Sequence, residues 1–196
     1  TFGGGLIDVS NGFRIVLGGA DGIRILPEGI AANPVVYDWA LKTAWESGAP
    51  DPGDYLRRYI VYRYGTWNDH VYEAWRLLLG SVYGEFAIKG EGTFESIFCA
   101  RPGLDVTSVS TWGPKRFQYD PAKLVDALVL FRKAAEQYGD SPTYRYDLAD
   151  LARQVLANHA RDIYRRTVKA YRRGDREGLD LLSADFLALL GLQDRL

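Results

Sequence analysis

Glu28 is the acidic side chain with surroundings suited to chemistry. It stands in Leu26-Pro27-Glu28-Gly29-Ile30-Ala31-Ala32-Asn33-Pro34-Val35-Val36-Tyr37-Asp38. Before it, Ile23-Arg24-Ile25-Leu26 reads as a short strand of apolar and β-branched residues. After it, Asn33-Pro34 starts a helix, with Asn33 as N-cap and Pro34 as the first helical residue. Gly29 gives the backbone freedom directly behind the acid. A carboxylate at the C-terminal end of a strand, just ahead of a helix, occupies the place where α/β barrels hold catalytic groups. Taken alone, Pro-Glu-Gly is more often a solvated turn.

Trp112 is the second residue of interest. It lies in Ser110-Thr111-Trp112-Gly113-Pro114, flanked by turn formers. A tryptophan there can offer its flat face to the C–H face of a sugar ring and its indole N–H to a hydroxyl. The alternative is that it packs its loop onto neighbouring helices. Trp39, Trp45 and Trp75 fall at core spacing on helices and are expected inside. Glu95 and Asp105 are further acids in the irregular stretch, and nothing in the sequence brings either to Glu28. Arg101-Pro102 and Arg145 are expected to pin loops through bidentate hydrogen bonds.

Other features point away from chemistry. Cys99, the sole cysteine, excludes an internal disulfide and, among Ile97, Phe98 and Ala100, is expected to be a buried structural thiol. His70 and His159 are too far apart to form a metal motif and read as helix-face residues. Residues 153–176 carry eight Lys/Arg against two Asp. These charges spread around a helix whose buried side is expected to be Ile163, Tyr164, Thr167 and Tyr171. With a net charge of −1, a solvated face is the default and no nucleic-acid partner is expected. No apolar run is long enough for a transmembrane helix, so no membrane partner is expected. No Asn-x-Ser/Thr sequon occurs, which favours a bacterial source.

The elements that must position Glu28 and Trp112 are mostly helices. Residues 1 to 30 are rich in glycine and β-branched residues, with a strand-turn-strand over Gly5 to Leu17. Helices are then expected from Pro34 to about Ser47 (carrying Val35, Trp39, Leu41 and Trp45), from Pro52 to Gly65, and from Asn68 to Gly84. Three more follow: Pro121 to Tyr138, Pro142 to Arg173, and about Asp175 to the end. Each opens on Asp, Asn or Ser, commonly followed by Pro, and several stop at Gly. Between Glu85 and Tyr119 lies a long irregular segment rich in aromatics. Segments of that kind are usually functional.

Several segments together resemble the α-N-acetylglucosaminidases of glycoside hydrolase family 89, in order and in spacing. They are Pro27-Glu28-Gly29-Ile30 with Asn33-Pro34-Val35-Val36-Tyr37, Arg63-Tyr64-Gly65, Ala74-Trp75-Arg76-Leu77-Leu78-Leu79 with Ser81-Val82-Tyr83, Arg101-Pro102, Thr111-Trp112, and Tyr144-Arg145-Tyr146-Asp147-Leu148 running into Asp150-Leu151-Ala152-Arg153-Gln154. The resemblance implies a mainly α fold, in which a multi-helix C-terminal domain is preceded by the final strand region of an α/β (TIM-like) barrel. Residues 1–48 would end the catalytic barrel, and 49–196 would form an all-α domain, incomplete at its end. The missing methionine and the likeness of Phe2-Gly3-Gly4 to a loop inside the family's barrel suggest an excerpt of a longer chain.

By the same resemblance, Glu28 is the nucleophile of a retaining exo-glycosidase acting on terminal α-linked N-acetylglucosamine of glycans. Trp112 walls the sugar pocket, and the acid/base glutamate lies upstream of Thr1. No metal or organic cofactor is implied. The implied partners are the glycan and the remainder of the chain's own barrel. The implied location is periplasmic or secreted in bacteria and lysosomal in animals. Thr1 departs from the asparagine usual there, and the segment leading to Glu28 is shorter than in the family. A non-catalytic helical scaffold is the competing reading.

Overall fold

Oxygen-bearing caps followed by proline mark the helix starts, and the computed structural model follows them closely. It describes residues 33–43, 45–46, 50–84, 95–111 and 113–196. The expected strands at Gly5 to Leu17 and Ile23 to Leu26 lie outside these residues. Among the described residues there is no strand; the helices are α1 (Pro34–Thr43), α2 (Pro52–Tyr64), α3 (Asp69–Leu79), α4 (Pro121–Lys133), α5 (Ala135–Tyr138), α6 (Pro142–Arg173) and α7 (Arg176–Asp194), with a 3₁₀ turn at Ile97–Cys99. The mainly α reading holds.

The caps do the expected work. Side chains of Asp51, Asn68, Asp120, Ser141 and Asp175 accept from backbone N–H groups in the first turns of α2, α3, α4, α6 and α7. Each such bond satisfies an N–H that the helix leaves open and contributes about 1 kcal/mol. Gly65 and Gly174 end α2 and α6 at φ of 90° and 69°, which strains any residue with a Cβ.

Two apolar clusters form, and α6 serves both. The larger holds Trp39 of α1, Tyr55, Leu56 and Ile60 of α2, Trp75 and Leu78 of α3, Leu124 and Phe131 of α4, and Tyr144 and Leu151 from the first half of α6. The smaller joins Ile97, Ala160, Ile163 and Ala170 of α6, and Leu182 and Leu189 of α7.

Four expectations change. First, α1 stops at Thr43, whose hydroxyl turns back to the Trp39 carbonyl at 2.9 Å. Trp45 therefore sits in a turn past the helix end and is 90% exposed, while Trp39 and Trp75 are buried as expected; Leu41 is half exposed. Second, the helix expected over Pro121 to Tyr138 breaks at Ala134 into α4 and α5. Third, Cys99 is exposed: in a 3₁₀ turn successive side chains point about 120° apart, and Ile97 takes the inward place. Fourth, Tyr171 is more than half exposed while Arg161 is buried, so the buried side of α6 is turned relative to the expected one.

The larger cluster is tied across α2, α3 and α6 by a largely buried ion pair. Arg63, at the end of α2, donates through Nε and Nη2 to the Asp147 carboxylate of α6 at 2.5 and 2.7 Å. The Tyr64 hydroxyl donates to the same carboxylate at 2.6 Å, and the Trp75 indole N–H donates to Tyr64 at 3.2 Å. Burial disfavours charge on Arg63, yet the Asp147 bond and field outweigh it and hold the guanidinium above its ordinary pKa. Arg101 and Arg145, expected to make such bonds, are both exposed. Removing Asp147 leaves Arg63 charged without its partner, which costs about 3–5 kcal/mol. Asp147→Ala should lose that much in chemical denaturation. Arg76→Ala, which breaks only the exposed Arg76–Glu73 pair, should change stability by less than about 1 kcal/mol.

Candidate active site

The start of α1 is the described segment nearest in sequence to Glu28, and two tyrosine hydroxyls hold it. The Asn33 side-chain amide donates to the Tyr83 hydroxyl, while the Asn33 carbonyl accepts from Val36 and Tyr37 N–H groups. One turn on, the Tyr55 hydroxyl donates to the Asp38 carboxylate at 2.7 Å and lies 3.3 Å from the Val35 carbonyl. Burial, reinforced by Asp38, pushes the Tyr55 pKa far above its ordinary value, so the hydroxyl stays a donor. Burial also raises Tyr83, against the Asn33 bond.

These two tyrosines belong to one ladder of ring contacts. Trp39 meets Tyr55 edge-on at 4.7 Å, Tyr55 stacks on Tyr59 at 5.5 Å, Tyr59 meets Trp75 edge-on at 5.4 Å, and Trp75 stacks on Tyr83 at 6.1 Å. Rings this close interlock and add about 0.5–1.5 kcal/mol per pair beyond area burial. Beside the ladder, Asn33, Asp147 and Asp150 border a crevice of only about 10 Å³, so protein side chains fill the space. Burial raises the Asp150 carboxyl above its ordinary pKa.

The irregular stretch is held from the other side by α6. Arg161 Nη2 donates to the Thr107 and Lys115 carbonyls at 2.6 and 2.9 Å, spanning the segment that contains Trp112. The Tyr164 hydroxyl accepts from Val106 N–H and donates to the Gly103 carbonyl, both at 2.9 Å. Arg172 reaches Asp105 at 2.5 Å and the Leu104 carbonyl at 3.4 Å. Within the stretch, Glu95 Oε2 accepts from Val109 and Ser110 N–H at 2.6 and 2.9 Å, and Ser110 Oγ accepts from Gly113 N–H at 3.0 Å. A Cβ on Gly113 would meet the Glu95 carboxylate at 2.5 Å, so glycine is needed there for this approach.

Glu28 and Trp112 themselves lie outside the described residues. The structure describes what grips their neighbours: Asn33 is five residues after Glu28, and Ser110 and Gly113 flank Trp112. Glu95 and Asp105, the other acids weighed, serve the loop, Glu95 through amides and Asp105 through Arg172. Arg161, read from sequence as one of a solvated basic set, is a buried clamp. Tyr83, Tyr55 and Arg161 were missed as site supports. For Tyr83 the signal available was its place in Ser81-Val82-Tyr83, which carries part of the family resemblance; Tyr55 and Arg161 lie outside those segments. Among the described residues no cluster of His, Cys, Asp and Glu is arranged to hold a metal ion, and no helix is long and apolar enough to cross a membrane.

The described residues form a multi-helix domain whose longest helix, α6, clamps an irregular loop. Residues 55–196 match the family described as alpha-N-acetylglucosaminidase (NAGLU) C-terminal domain, and the chain belongs to that family. Human α-N-acetylglucosaminidase is 32% identical over 151 residues, which is 76% of this chain and 19% of the human protein. Solved structures of the family 89 glycoside hydrolase of Clostridium perfringens are 32% identical and cover 99% of this chain and 22% of theirs. They include complexes with PUGNAc, at a TM-score of 0.92, and, in a form carrying two Glu→Gln substitutions, with its substrate GlcNAc-α-1,4-galactose, at 0.91. The chain thus spans about a fifth of the length of these relatives.

Burial of Glu95 is the largest single influence and opposes its charge, but the Ser110 hydroxyl and the Ser110 and Val109 amides together prevail and hold its carboxyl below its ordinary value of 4.5. The folded pKa being the lower one, the contribution of these bonds is complete above the unfolded pKa and is lost as pH falls through the folded value. The Val109 and Ser110 amide resonances should therefore shift on acidification with a midpoint below 4.5. In Glu95→Gln that titration should vanish. A midpoint at or above the ordinary value would show that the amides do not favour the carboxylate.

Proposed function

We propose that the parent protein is a retaining exo-glycosidase that removes terminal α-linked N-acetylglucosamine from glycans, and that this chain supplies its nucleophile, Glu28, and a pocket wall, Trp112. The observation that carries the reading is the match to the C. perfringens enzyme, which covers 99% of this chain at a TM-score of 0.91 in the substrate complex.

In this mechanism a Glu28 carboxylate oxygen forms a bond to the anomeric carbon as the glycosidic C–O bond breaks. The leaving oxygen takes its proton from a second carboxylic acid, contributed by the remainder of the barrel. That residue then accepts a proton from water, which attacks the anomeric carbon and frees Glu28 with net retention. The two carboxyl groups must stand about 5 Å apart. No step needs a metal or organic cofactor. Residues 1–48 complete the barrel in this reading and 49–196 form the domain that braces it. The partners are the glycan and the rest of the barrel. The setting is extracytoplasmic: periplasm or medium for a bacterial parent.

Trp112 would present its ring to the apolar face of the sugar, from a loop clamped by Glu95 and Arg161. Tight clamping lowers the ordering cost when substrate binds.

Glu28→Gln in the full-length parent should fold normally and lose at least about 10⁴-fold in kcat, because the amide keeps the shape but cannot attack. Substantial residual turnover of an α-N-acetylglucosaminide would reject Glu28 as nucleophile. Trp112→Ala should raise KM about tenfold, equivalent to about 1.4 kcal/mol of stacking, while thermal stability changes little. A variant that loses stability and keeps KM would make Trp112 a packing residue only.

A further inference from the structure

We propose that Tyr83 and Tyr55 are positioning residues for the nucleophile: their hydroxyls hold the N-terminal half of α1, through Asn33 just ahead of it and Asp38 one turn on, and so fix the downstream end of the segment that carries Glu28. The inference rests on Glu28 being the nucleophile. It adds two residues that make no claim to touch substrate.

The geometry supplies the argument. Four residues separate Glu28 from Asn33, so even a fully extended chain keeps the Glu28 Cα within about 17 Å of the anchor. Any shift or rotation of the start of α1 is passed up that short tether. A nucleophile misplaced by about 1 Å can lose about a hundredfold in rate. Helix α1 has only ten residues, and a helix that short is marginal without tertiary contacts. Its contacts near the start are specific and polar. Asn33 donates to Tyr83 at a sequence separation of 50, and Tyr55 donates to Asp38 from α2.

The anchors are themselves buried and packed. Tyr83 and Tyr55 are 2% and 1% exposed, and the Trp39–Tyr55–Tyr59–Trp75–Tyr83 ladder joins them through continuous ring contact. Trp75 is fixed in turn by its bond to Tyr64, and Tyr64 by Asp147. A path of packed rings and charge-assisted bonds therefore runs from α6 to the residue that begins α1. Apolar packing alone would locate α1 in the core. Two hydroxyls at set places also define its rotation and its position along its axis.

The test uses the full-length parent and a chromogenic α-N-acetylglucosaminide. Tyr83→Phe deletes one oxygen and keeps the ring, and Asn33→Ala removes the other partner from the less buried side. Each should lower kcat ten- to a hundredfold with KM within twofold. The double variant should be no slower than the worse single one, because both remove one interaction. Tyr55→Phe should lower kcat in the same sense. Tyr138→Phe, which deletes a hydroxyl bonded to the Thr66 carbonyl at 2.5 Å, controls for general loss of a buried bond. It should shift the melting temperature comparably and leave kcat within twofold.

If Glu28→Gln is inactive but Tyr83→Phe and Asn33→Ala keep wild-type kcat, the positioning role is wrong and the nucleophile stands. If kcat falls as far in Tyr138→Phe as in Tyr83→Phe, the effect is general destabilisation and the role is likewise wrong. Should Tyr83→Phe fail to fold, Asn33→Ala alone decides between these outcomes. A Glu28→Gln variant that retains activity removes the nucleophile, and with it the basis of this inference.

Discussion

The bond between Arg63 and Asp147 is the constraint on which the larger cluster depends. Both side chains are mostly out of solvent, at 14% and 9% exposed, so each charge would be costly without the other. The pair tolerates burial because its valences are filled. Arg63 uses two nitrogens, Tyr64 adds a third donor to the carboxylate, and Trp75 donates to Tyr64. The Arg63 carbonyl also accepts from the Thr143 hydroxyl at 2.5 Å, so the end of α2 is bonded to the first turn of α6 as well. A network of this kind is satisfied in one arrangement only, which gives the apolar residues around it a defined register. The ring ladder is built on that register, and α1 is built on the ladder.

A single seam of α6 does most of the tying. Asp147, Leu151, Gln154, Asn158, Arg161 and Val168 recur at intervals of three, four or seven residues, the spacing of one helix face. Along it, Asp147 takes Arg63, Gln154 and Asn158 bond the Tyr119 hydroxyl, and Arg161 takes two loop carbonyls. Tyr164 and Arg172, adjoining that face, hold Gly103, Val106 and Asp105. The seam alternates apolar and polar contacts because it meets helices at one end and bare loop backbone at the other. Loop backbone brings unpaired carbonyl and N–H groups that apolar side chains cannot satisfy.

This seam explains what was legible and what was not. Helix ends could be read because caps are local: Ser141, Pro142 and Gly174 bound α6 by short-range chemistry alone. Arg161 was misread because a polar residue facing loop carbonyls looks, in sequence, like one facing water. Trp45 was misread because helical spacing continues past Thr43, whereas the helix does not. Cys99 followed from its apolar neighbours, but a three-residue turn sends adjacent side chains in different directions. For the site, family resemblance carried Glu28 and Trp112. Tyr83 lay inside a quoted segment without any pattern to mark its hydroxyl, since its partner Asn33 is 50 residues away.

The neighbours of both proposed site residues, the start of α1 and the loop carbonyls on either side of Trp112, are tied back to α6. Asp147 and Arg161 are fourteen residues apart, about 21 Å along the axis and roughly 40° short of four full turns. They therefore project from nearly the same side of α6. One secures, through Tyr64, Trp75 and Tyr83, the start of α1; the other secures the carbonyls on both sides of Trp112. A helix with well-made caps at both ends deforms little over that length, so the separation between the anchors is set by the helix rise. In the proposed mechanism Glu28 and Trp112 would supply the reactive and sugar-facing groups, and binding groups are commonly carried on loops that a rigid scaffold positions. The helix supplies the fixed distance between the two anchors, and the proposed glycosidase would use that fixed spacing to hold the acid's segment and the tryptophan's loop in one frame.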